Sequence, residues 1–235
     1  MPKANFASEA VENYLKAIYQ ICQGTEGAPV QDIAEQLGVS APGVSKMLRH
    51  LAAHQLVRYT PYQPVHLTDL GEKIALETIR HHRLLELYLM ESLGYGWEQV
   101  HSEAERLEHH ISEEFEASIE RLLGFPSFDP HGDPIPTRDG RMPPPVMVTL
   151  GAQEDGARLV VRRVTDEDGD LLRYLGERGL RPGTAVVILD REPFGGSLRL
   201  QVADREQRIS PEAARHVFIE RLAPAPAPPE RTTEC

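Results

Sequence analysis

The chain has 235 residues, with 25 Lys and Arg against 36 Asp and Glu and a formal net charge of −11. That balance argues against a protein that coats nucleic acid non-specifically, and no apolar run approaches the roughly 18 to 20 residues a membrane span requires. Cys22 and Cys235 make no disulfide framework, and Met1–Asn5 lacks the apolar core of a signal peptide, so a reducing cytoplasm is the expected location.

From Phe6 to about Ile74 the spacing predicts helices that end in a short hairpin. Val30–Leu37 is helical, Gly38-Val39 makes a tight turn, and Ser40 is a good N-cap for a second helix. Pro42 sits early in that helix, where its missing N–H costs little. Val44, Met47, Leu48 and Leu51 form its apolar stripe, leaving Ser45, Lys46 and Arg49 on the other face. Two short helices with this turn read as a helix-turn-helix. Leu56–Tyr59 and Val65–Leu67 flank Thr60–Pro64 as a wing, and Thr68 caps the next helix. A winged helix places its second helix in the major groove. Lys46 is then expected at base edges, and Ser45, Arg49 and Arg58 at phosphates. Ser40 and Pro42 sit at the helix start, where the N-terminus offers itself to a phosphate. The ordinary alternative is a plain three-helix packing unit. Residues 1–75 carry six basic against seven acidic residues, so each subunit should bind modestly and two half-sites should be read by a dimer.

Residues 72–123 predict two long helices broken at Gly94-Tyr95-Gly96. Residues 76–124 hold four Arg against eleven Glu. His101, Glu105, Glu108 and His109 fall at i, i+4, i+7 and i+8, one face of a helix, and His82 and Glu86 repeat the i, i+4 spacing one helix earlier. Imidazole nitrogens beside carboxylate oxygens suit a first-row divalent metal, the alternative being a solvated acidic face. Leu84, Leu87, Phe115, Ile119 and Leu122 serve either a dimer interface or the chain's own core. Residues 125–147 are rich in Pro, Gly and Asp and read as a linker or strap. Short strands follow at Arg158–Val164, Ala185–Leu189, Ser197–Val202, Arg208–Ile209 and Val217–Ile219, with one helix at Asp168–Arg178, a pattern that suggests a small barrel. The Pro-rich end is expected to be disordered.

These pieces resemble the metal-dependent repressors of the DtxR/MntR type. The matching runs are Glu12–Tyr19, Ile33–Leu37, Ser40–Met47, Leu67–Gly71, His82–Glu86, Val100–His109 and Pro130–Pro136, over at least residues 7–136. Leu175–Gly183 resembles, more loosely, the family's C-terminal SH3-like domain. The resemblance implies an α+β chain in five parts. A winged helix-turn-helix DNA-binding domain spans 1–74, and an all-α dimerisation and metal-binding domain spans 75–142. A linker at 143–147 leads to a small SH3-like β-barrel of the FeoA type at 148–223, followed by a disordered tail at 224–235.

By position, one metal site would use Glu105, Glu108 and His109 with Asn13, and another His82, Glu86 and His101. In manganese-type members the His at position 82 serves the first site instead. Asn13 stands where the family has Asp or Met. Glu105 stands where iron-type members have Cys; a carboxylate is harder than a thiolate, which favours Mn²⁺, with Fe²⁺ the alternative. Iron-type members lend ligands from the C-terminal domain, and Asp168 is the nearest position here, with a helix cap as its ordinary alternative. The expected function is a metal-responsive regulator, acting as a repressor, that binds operator double-stranded DNA as a homodimer. No membrane partner and no catalysis are expected. One rival is a metallohydrolase, weakened by the lack of a Gly-rich phosphate loop, nucleophile elbow or His-Glu-x-x-His run. Another is a regulator that senses an organic ligand.

Overall fold

The computed structural model describes residues 8–166 and 168–222, and the tail expected at 224–235 lies outside them. The chain divides into two compact units. One runs to Pro130 and resumes at Pro134–Pro144; the other combines His131–Asp133 with the chain from Pro145 onward.

In the first unit, α1 (Glu9–Cys22) starts where Ser8 accepts a hydrogen bond from the Val11 N–H. Val11, Leu15 and Ile18 bury its apolar stripe, and Glu12 and Lys16 are buried beside them. Helix α2 (Val30–Gln36) and α3 (Ala41–Ala53) form the helix-turn-helix. Ser40 Oγ accepts from Gly43 N–H at 3.3 Å, and the proline falls in the first turn, as the sequence predicts. Val44, Leu48 and Leu51 turn inward. Strands β1 (Val57–Arg58) and β2 (His66–Leu67) pair antiparallel as the wing, Val57 opposite Leu67.

Helix α4 (Asp69–Leu93) is the longest element, about 37 Å at the α-helical rise. Thr68 caps its start by accepting from Gly71 N–H. It stops at Gly94, whose φ of +74° is readily adopted only without a Cβ. Ala75, Leu76 and Ile79 join the core of α1, α2 and α3, while Leu84, Leu85, Leu87 and Leu89 build a second core with Val100, Ala104, Ile111 and Ile119. One rigid helix therefore belongs to both cores.

The stretch after Gly94 holds two further helices rather than one, α5 (Val100–Leu107) and α6 (Glu113–Leu122). The break occurs because Ser112 accepts from Phe115 N–H and starts a new helix. Glu108 keeps helical dihedrals (φ −56°, ψ −29°) as the C-cap of α5, so it stays on the His101/Glu105 face, but His109 lies in the turn beyond.

The second unit is a five-stranded antiparallel sheet of SH3-like type. Its strands are β3 (Arg158–Val164), β4 (Ala185–Arg191), β5 (Leu198–Val202), β6 (Arg205–Ile209) and β7 (Val217–Arg221), in the order β6-β5-β4-β3-β7. Register shifts at Val161/Arg163 and Ile188/Asp190 are the irregularities that let such a sheet bend. Helix α7 (Gly169–Glu177) follows β3, and α8 (Pro211–Arg215), too short to show a period, precedes β7. Residues His131–Asp133 pack on β3, Val164 N–H donating to the His131 carbonyl at 2.9 Å.

Gly71 is where α4 meets the wing. A Cβ there would lie 2.0 Å from the Leu56 carbonyl oxygen, which is backbone and cannot rotate away. Gly71→Ala should destabilise the chain by about 3 kcal/mol, visible as a lower thermal midpoint. An unchanged midpoint would show that the wing backbone yields more easily than this contact implies.

Candidate metal centre and DNA-binding face

The candidate metal residues meet where α1 crosses α4 and α5. Glu105 and Glu108 come from α5 and its cap, and His82 and Glu86 lie one turn apart on α4. Ligand atoms of His82, Glu105 and Glu108 lie within 4.8 Å of one another, and so do those of His82, Glu86 and His101. His82 joins the two sets. Its Nδ1 is 2.6 Å from Glu108 Oε2, and its Nε2 is 3.0 Å from Glu86 Oε1 and 3.1 Å from His101 Nδ1. Burial opposes a charged ring, but the neighbouring Glu86 carboxylate and hydrogen bonds to Glu108 and Glu86 outweigh it, pushing His82 up to about 9. Glu86 and Glu108 are fully buried, whereas Glu105 is partly open to solvent.

The sequence reading missed the cation in this cluster. Lys16 Nζ donates to Glu105 Oε1 at 2.6 Å and to both oxygens of Glu108 at 2.9 Å, and lies 3.4 Å from His82 Nδ1. Burial works against its charge, yet the two glutamates hold its affinity for the proton above the ordinary lysine value. Glu105 is correspondingly lowered, the Lys16 and His82 charges overcoming its burial. The acidic cluster is therefore not left to its own repulsion: an ammonium sits among its carboxylates.

The placement of α1 also differs from expectation. Asn13 is half-buried and makes no side-chain hydrogen bond to the cluster among the described residues. Glu12 reaches it instead, its Oε2 2.5 Å from His109 Nδ1, while His109 Nε2 lies 3.5 Å from Glu108 Oε1. Glu12 and Lys16 stand four residues apart on one face of α1, the signal that would have found them. Asp168 has a different occupation: in the second unit, Oδ1 of this exposed residue accepts from the N–H groups of Asp170 and Leu171, which caps α7. Asp129, which the sequence reading passed over, brings a buried carboxylate within 4.8 Å of Glu86.

A second layer holds Glu108 from behind. His81 Nδ1 lies 3.2 Å from the Glu108 carbonyl and its Nε2 3.2 Å from Glu116 Oε2. Arg80 Nε donates to Glu116 at 2.6 Å, its other nitrogens reaching Glu120 and the Pro136 carbonyl. Arg83 donates to the Pro134 carbonyl and lies near Asp129, so two arginines of α4 fix the strap after α6.

On the other candidate face, Ser40, Pro42, Lys46, Arg49 and Arg58 are exposed and Ser45 is half-buried. Ser40 Oγ is engaged in capping, which leaves the first-turn N–H groups and the cationic side chains to face outward. Tyr62, unremarked in the sequence, is fully exposed at the wing tip.

The donor set, buried oxygens and imidazole nitrogens gathered around a cation, suits a divalent ion, and comparison with known proteins agrees. Residues 7–65 match the family model for the iron dependent repressor N-terminal DNA binding domain. Residues 68–137 match that for the iron dependent repressor metal binding and dimerisation domain, and 148–221 the FeoA domain. The chain is 31% identical over 227 residues to the iron-dependent repressor IdeR of Mycobacterium tuberculosis, covering 91% of this chain and 98% of the relative. The chain belongs to the iron-dependent repressor family. It is similar as well to the transcriptional regulator MntR of Escherichia coli O157:H7, 39% identical over 106 residues, 45% of this chain and 68% of that protein. A solved manganese-dependent transcriptional repressor in complex with manganese superposes with a TM-score of 0.82 at 37% identity, covering 90% of this chain and all of that one. This member of the family is thus a metal-responsive, DNA-binding transcriptional repressor and not an enzyme, which removes the metallohydrolase reading.

The second layer makes a prediction about pH. Burial opposes the Glu116 charge, but hydrogen bonds from His81 and Arg80 prevail and hold its carboxyl at about 2 against an ordinary 4.5. A depressed carboxyl stabilises the fold above pH 4.5, and that stability is lost as pH falls toward 2. The shift corresponds to about 3 kcal/mol. Glu116→Gln should lose about that much at pH 7 and flatten the acid-unfolding curve between pH 4.5 and 2. An acid limb identical to that of the unaltered protein would refute the assignment.

Proposed function

We propose that this repressor loads Mn²⁺ and then binds operator DNA as a homodimer to control metal-ion homeostasis genes in the cytoplasm. The observation that carries the reading is the convergence of Glu105, Glu108 and His82 within 4.8 Å, with no sulfur among them. The free thiol described, Cys22, lies instead near the Val65 carbonyl. Hard carboxylate oxygens with imidazole favour Mn²⁺. Fe²⁺ is the second reading, supported by relatives named as iron-dependent and by the second donor set of His82, Glu86 and His101.

A bound divalent ion supplies two positive charges to buried carboxylates that otherwise depend on Lys16. The protein's own residues do the rest. Glu12 ties α1 to His109 in the turn after α5, and α4 carries the wing and recognition helix on the same rigid rod. Holding α1 against α4 and α5 fixes α3 relative to the helical core. A cation that binds this arrangement better than others shifts the population toward it. Lys46 then faces base edges, with Arg49, Arg58 and Ser45 at phosphates. Dimerisation is supported by the exposed apolar residues Phe115, Leu122 and Phe125 on and after α6, whereas Leu84, Leu87 and Ile119 are spent in the chain's own core.

Operator binding titrated with Mn²⁺, Fe²⁺, Zn²⁺ and Co²⁺ at fixed free concentrations tests the proposal. Mn²⁺ should act at the lowest concentration, and Glu105→Ala with Glu108→Ala should abolish metal-stimulated binding. Unchanged Mn²⁺ dependence in that double variant would place the site elsewhere. Lys46→Ala should weaken specific binding by about 1–3 kcal/mol and leave metal uptake intact. Loss of both would indicate misfolding.

A further inference from the structure

Lys16 is the ammonium that enters the Glu105–Glu108 pocket beside His82, and it comes from the DNA-binding half of the chain. Its Nζ sits 2.6 Å from one carboxylate and 2.9 Å from both oxygens of the other. A metal ion coordinated by Glu105 and Glu108 would need those same oxygens at a little over 2 Å, in the space the ammonium fills. Two cations that share the same carboxylate oxygens a few ångströms apart repel, so each binds at the other's expense. A lysine suits displacement because its charge is compact and rides on a flexible four-carbon stem. An arginine's planar fork would hold the two carboxylates more rigidly.

We infer that the Lys16 ammonium is a built-in competitor for the divalent cation. It occupies the carboxylate pocket of Glu105 and Glu108, latches α1 to α4 and α5 without metal, and sets the metal concentration at which the site loads. The metal-free repressor is then a protein with its first helix already tethered by a monovalent charge. Loading exchanges one cation for another, so affinity is the difference between the two.

This inference rests on the metal-responsive reading of the pocket, and its test separates the two. Mn²⁺ is titrated by calorimetry into the full-length, chelator-stripped protein without DNA, as the unaltered chain, Lys16→Gln and Lys16→Arg. Thermal unfolding of each is recorded with and without Mn²⁺. Lys16→Gln should bind Mn²⁺ more tightly, on the order of tenfold. It should also melt lower without metal and show a larger Mn²⁺-induced rise in midpoint. Lys16→Arg keeps the charge and should bind no more tightly than the unaltered chain. Unchanged or weaker binding by Lys16→Gln overturns the inference while leaving the metal site standing, as does equal tightening in both variants. Absence of Mn²⁺ binding by the unaltered chain overturns both. Should metal-free Lys16→Gln be too unstable for calorimetry, a Mn²⁺-induced midpoint rise no larger than that of the unaltered chain overturns it equally.

Discussion

Four glutamates, Glu12, Glu86, Glu105 and Glu108, converge where α1, α4 and α5 meet, and three of them are among the most buried polar groups in the chain. Unpaired carboxylates cannot stay ionised in such a place. The junction therefore demands positive charge, which Lys16 from α1 and the raised His82 from α4 supply, with His101 and His109 hydrogen-bonded beside them. The identity of the compensating cation is the variable that the fold leaves open. A packed hydrocarbon junction would hold the helices permanently; a junction of acids holds them only as well as its counter-charge does.

The remainder of the first unit makes that charge matter at a distance. The two apolar cores share α4, so an adjustment at His82 and Glu86 cannot be absorbed within one of them. Behind Glu108, the contacts through His81, Glu116 and Arg80 to the Pro136 carbonyl brace the α5 cap. The donors are thus stiff on the α4–α5 side, and the adaptable contributions, a flexible lysine and the half-exposed Glu105, lie at the interface with α1.

Much of this could be read from spacing. The N-caps Ser40 and Thr68, the apolar stripe of α3 and the alternation of β3 follow from local chemistry, and the i, i+4 pairs on α4 and α5 marked the cluster. What escaped reading depends on pairing across elements. Lys16 looks like an ordinary solvated lysine in α1 until Glu105 and Glu108, some ninety residues away, are brought to it. Asn13 occupies the position the resemblance implied, yet the rotation of α1 turns Glu12 and Lys16 toward the cluster. Asp168 carries both a ligand's chemistry and a cap's, and the two backbone N–H groups of α7 decide between them. His101 to His109 reads as one continuous helix because Ser112, which starts the next, lies beyond the motif.

The length of α4 has a mechanical meaning. From His82 back to Asp69 the helix runs about 20 Å. A tilt of roughly 10° about His82, midway along α4, would displace the wing end by about 3.5 Å, close to the 3.4 Å rise of one base pair. The length of the helix gives a small change of angle at the cluster a reach, at the wing, comparable to one base-pair step.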